Sequence, residues 1–74
     1  MLRFDARALY RALNEQRQAR GLTWAGVARE IGVSSSTLTR TALGGRMEAD
    51  GMLAMCRWVG RTAESFVRDI RRPG

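Results

Sequence analysis

The stretch LTWAGVAREIGVSSSTLTRTALG, from Leu22 to Gly44, constrains the fold more than any other part of the chain. Trp24, Val27, Ala28 and Ile31 recur at the spacing of one apolar helix face, with Thr23 before them as a cap and Gly32 as a stop. Val33 is a short apolar plug, and Ser34 caps a second helix over about 35–42 whose clear inward anchors are only Leu38 and Ala42. Ser35, Ser36, Thr37, Thr39, Arg40 and Thr41 occupy the rest of that helix's circumference. Hydroxyl-rich helices have mediocre intrinsic propensity, so this one holds only if neighbouring helices carry it. Its polar outer side then faces a partner.

The neighbours are legible by the same template. A first helix is expected over about 5–20, capped by Asp5, with Phe4 stapled to Leu9 and an apolar face of Ala6, Leu9, Tyr10 and Leu13. Gly21 is its left-handed stop, and Arg7 and Arg11 lie on a neighbouring, solvated face. Gly44-Gly45 breaks the chain before a charged loop. A fourth helix follows over about 49–59, with Met52, Leu53, Cys56 and Val59 in its stripe and Met55 and Trp58 widening it. Gly60 and Thr62 lead into a fifth over about 62–70, with Ala63, Phe66, Val67 and Ile70 inward and a frayed tail from Arg71 to Gly74. The expectation is a single all-α domain of five helices, spanning residues 1–74.

Composition narrows the function classes. A chain of 74 residues sits near the lower limit for one hydrophobic core. The lone Cys56 forms no internal disulfide, and with no His there is neither a zinc ligand set nor a His base. The net charge is +6, and all 13 basic residues are arginine. That balance favours a polyanion as partner. No apolar run spans a bilayer and no signal-peptide core is seen at the start, so a soluble cytoplasmic protein is expected. No nucleophile–base pair, phosphate-binding glycine loop or carboxylate pair supports catalysis, and neither an enzyme nor a cofactor is expected.

Ala28, Gly32 and Leu38 stand four and six residues apart, the separations of a helix-turn-helix. A small residue allows close helix approach, glycine makes the turn, and leucine locks the second helix onto the first. The second helix stands proud of the surface and fits a DNA major groove. The segment LTWAGVAREIGVSSSTLTRTALGG resembles the helix-turn-helix of the phage repressor and Cro family, the xenobiotic-response-element-like bacterial regulators. The run MLAMCRWVGRTAESFV is similar to that family's fourth and fifth helices.

The resemblance implies a five-helix, lambda-repressor-like domain that binds double-stranded DNA and regulates transcription, most simply as a repressor. Base reading then falls to Ser35, Ser36 and Arg40, with Arg40 gripping guanine O6 and N7. Thr37 and Thr39 touch phosphates or a thymine methyl. Phosphate clamping falls to Arg17, Thr23, Ser34, the Gly44-Gly45 backbone and Arg46. Two positions depart from the family pattern: Trp24 stands where Gln is common, and Ala42 where a Glu often pairs with the first helix, leaving Arg17 without its usual partner. A homodimer is expected, joined around Met55, Trp58 and Phe66, with no small-molecule effector and no membrane partner. A protein-interaction module (antitoxin or adaptor) on the same fold is the alternative; membrane-surface binding through basic amphipathic helices is a weaker one.

Overall fold

The computed structural model describes residues 1–69. The chain is mostly helical, with a small two-stranded sheet. Strand β1 (Leu2–Phe4) is followed by α1 (Ala6–Ala19), α2 (Trp24–Ile31), α3 (Ser35–Ala42) and α4 (Ala49–Val59). A 3₁₀ turn (Ala63–Phe66) then leads into β2 (Val67–Asp69), which pairs antiparallel with β1.

Local chemistry accounts for the helix ends. Asp5 Oδ1 accepts from the Ala8 amide at 3.0 Å, Thr23 Oγ1 from Gly26 at 3.1 Å, and Ser34 Oγ from Thr37 at 3.2 Å. Each satisfies an amide that the first helical turn leaves without a partner. Gly32 ends α2 at φ +86°, a left-handed conformation that L side chains rarely adopt, and its amide donates back to Ala28. After that turn α3 packs against α1 and α2.

Leu9, Leu13, Val27, Ala28, Leu38, Met55, Cys56 and Phe66 form the core. Thr41 joins them, wholly buried, because its hydroxyl donates to the Thr37 carbonyl at 2.9 Å and needs no water. The inward side of α3 is therefore Leu38 with Thr41, and Ala42 is only half-buried. On α4 the enclosed residues are Met55 and Cys56, while Leu53 is 54% exposed.

The fifth helix expected over 62–70 is absent from the described residues. Ser65 closes a tight turn on the Thr62 carbonyl, through its amide at 3.0 Å and its hydroxyl at 2.6 Å. From Val67 the chain extends, and its backbone groups find partners in Leu2–Phe4 rather than four residues back. Phe66 and Val67 favour an extended chain, and strand pairing prevailed over the helical spacing. Phe4 consequently lies in a strand and packs against Phe66, ring centroids 6.0 Å apart. The Asp5 amide donates to the Phe66 carbonyl at 2.7 Å and fixes the clasp. Ile70 and the tail Arg71 to Gly74 lie outside the described residues.

Candidate nucleic-acid interface

Helix α3 is held by its inner side alone. Its exposed residues are Ser35, Ser36, Thr39 and Arg40, which at spacings of one, four and five share one face. All three expected base readers are thus on the outside of the molecule. The Arg40 guanidinium has no hydrogen-bond or ion-pair partner among the described residues, and neither has Arg46 in the following loop. Both cations are open to an anionic ligand. Thr39 donates its hydroxyl to the Ser35 carbonyl at 3.2 Å, leaving its oxygen lone pairs and methyl group outward.

The expected phosphate contacts divide. Thr23 and Ser34 are exposed at the helix starts, but their hydroxyl oxygens already accept from α2 and α3. Thr37 is half-buried and shares a 3.0 Å hydroxyl contact with Ser34. The Gly44 amide donates to the Thr41 carbonyl at 3.1 Å and the Gly45 amide to the Arg40 carbonyl at 2.9 Å. Those two N–H groups cap α3 and are unavailable to a phosphate, contrary to expectation.

Arg17 pairs within the chain. Its Nε and Nη2 donate to Asn14 Oδ1 at 3.1 and 2.8 Å, and its Nη1 to the Leu22 carbonyl at 3.0 Å. The guanidinium lies 5.0 Å from the centre of the Trp24 ring, whose other neighbour, Tyr10, stacks at 4.8 Å and 13°. Arg17 pins the turn between α1 and α2, and Trp24 is the plate it rests on. Helical spacing puts Tyr10 and Arg17 on one side of α1, seven residues apart, but nothing in the sequence brings Trp24 of α2 onto them. Ser35, Leu38, Thr39 and Ala42 join Tyr10 and Trp24 around a cleft of about 250 Å³ beside the exposed face.

The expected dimer surface also changes. Met55 and Phe66 are wholly buried in the chain's own core and present nothing to a second copy. Trp58 is half-buried, and its indole N–H donates to Glu30 Oε1 at 3.1 Å. Arg20 pairs with the same carboxylate at 2.9 Å and lies 5.5 Å from the Trp58 ring centre. The indole hydrogen bond, followed by Arg20, holds the Glu30 carboxyl below its ordinary range. Nor is Arg7 merely solvated: its Nη2 donates to the Leu43 carbonyl at 3.3 Å, at the end of α3.

No cluster of His, Cys, Asp and Glu suited to a metal ion occurs among the described residues. None of their helices is long and apolar enough to cross a membrane. Comparison with protein-family models, with curated proteins and with solved structures finds no match to this chain.

Proposed function

We propose that this chain is a sequence-specific double-stranded DNA-binding regulator of the lambda-repressor-like helix-turn-helix kind, with α3 in the major groove. The observation that carries the reading is the outer face of α3: Ser35, Ser36, Thr39 and Arg40, all exposed, with Arg40 unpartnered among the described residues. A helix of ordinary width fits the groove, and a guanidinium there meets guanine O6 and N7 with two parallel donors. The two serines, short and able to donate or accept, allow close approach near the start of the helix. The +6 charge supplies attraction to any duplex, and Arg46 adds a phosphate contact beside α3.

The chain acts in the cytoplasm as a repressor, by occupying an operator and excluding other proteins from it. One α3 covers few base pairs, so two copies bind a roughly palindromic site with half-sites ~34 Å apart. Leu53, the exposed large apolar side chain of α4, replaces Met55 and Phe66 as the residue around which those copies meet. No small-molecule effector, cofactor or membrane enters this reading. Selection from a random duplex pool, followed by gel shift, tests it. Enrichment of a motif bound far more tightly than random duplex is expected. Selected sites bound no better than random ones would transfer the fold to the adaptor role.

A further inference from the structure

A basic cleft lies where the sheet meets the C-terminal end of α3. Arg3 and Arg68 stand directly opposite each other in the β1–β2 register. Such pairs put both side chains on the same face, and like charges there are destabilising unless something lies between them. Arg7 lines the same cleft of about 340 Å³, with Gly44 at its edge. Asp5 is the one carboxylate of the lining, 3.7 Å from Arg68 Nε and already accepting from the Ala8 amide. Three arginines thus line a cleft with a single, partly engaged carboxylate. Arg68 Nη1 also donates to the Ser65 and Val67 carbonyls at 2.9 and 3.3 Å, which leaves its Nη2 for a ligand. Arg3 has no partner among the described residues. Arg7 lies along the wall against Gly44, where a Cβ would stand 3.0 Å from its Nε and press the guanidinium aside by a few tenths of an ångström.

We propose that this cleft is a phosphate-oxyanion site. A tetrahedral oxyanion bridging Arg3 and Arg68 turns their repulsion into two charge-assisted contacts, for which the planar guanidinium fork is well shaped. Resting on the groove-binding reading above, the phosphate is a backbone phosphate of the bound duplex. The cleft adjoins the C-terminal end of α3, where Arg7 holds the Leu43 carbonyl, one turn beyond the exposed Arg40. It therefore grips the strand flanking the groove at the end opposite Ser35, and fixes how far α3 slides along the bases.

The test is Arg3→Gln in the full chain, because the Arg3 side chain has no hydrogen-bond or ion-pair partner among the described residues and Gln keeps the strand backbone. Duplex binding is followed by fluorescence anisotropy across about 50–200 mM salt. The variant should melt like the parent and lose roughly fivefold in affinity on selected and random duplexes alike. Its log–log salt slope should be shallower by about one per bound copy, with the order of base preference kept. A folded variant with unchanged affinity and slope, while the parent binds DNA, overturns the cleft and leaves the groove reading standing. If the parent binds no duplex, the groove reading fails, and inorganic pyrophosphate is titrated with amide NMR detection. Shifts at Arg3, Arg7 and Arg68 that vanish in Arg3→Gln then identify a free-phosphate site and overturn the duplex assignment. No shifts overturn the site altogether.

Discussion

Arg40 and Arg46 are both exposed and have no partner among the described residues, yet they differ in where they stand. Arg40 projects from the α3 face and Arg46 from the loop after it. Arg40→Ala is expected to relax preference at one base pair per half-site, seen as a flattened position in a repeated duplex selection. Arg46→Ala should weaken all sequences alike and lower the salt slope by about one. Glu30 makes a separate prediction. Its carboxylate is stabilised in the charged form by Trp58 and Arg20, so its folded value lies below the ordinary 4.5. The contribution to stability is full above that ordinary value and is lost as pH falls through the lowered one. Glu30→Gln should therefore give a melting temperature that falls less steeply below about pH 4.5 than the parent's.

At the scale of elements, α3 depends on its start and on one anchor. Ser34→Ala removes the acceptor for the Thr37 amide and should cost about 1 kcal/mol in a denaturant titration. Leu38, 3% exposed, should cost about 2–5 kcal/mol as Leu38→Ala, enough to unfold a domain this small. The four helices and the side-chain caps of the first three were legible in the sequence because they are local. Asp5, Thr23 and Ser34 sit within three residues of the amides they serve, and Gly32 marks a turn wherever it falls. The β1–β2 clasp was not legible, since its signal is divided between two three-residue segments more than sixty positions apart. Phe66 satisfied the helical spacing and was buried as expected, but on a strand-bound turn. For the candidate site, Ser35, Ser36, Thr39 and Arg40 fall outward as the spacing of α3 implies. Thr41, expected on that outer circumference, is wholly buried in place of Ala42, and the pairing of Arg17 was not legible. Its fate depended on Asn14 and the Leu22 carbonyl, groups that no motif marks.

The whole molecule joins its described ends through β1 and β2, so the sheet closes the longest loop the fold contains. The expected assembly belongs to this scale as well. Sedimentation should show two copies per palindromic duplex, and Leu53→Glu should leave one copy bound with weaker affinity. A parent that sediments as one copy on such a site removes the dimer. A last consequence comes from Cys56, the sole cysteine, 2% exposed in the middle of α4, where burial pushes the thiol up. Thiolate is the form that alkylating reagents attack, and the native interior withholds it. Labelling must therefore wait for the helices to part, and when reclosing is fast its pace counts how often they do. The chain comes with its own stopwatch for breathing, one that DNA should slow and Leu38→Ala should quicken.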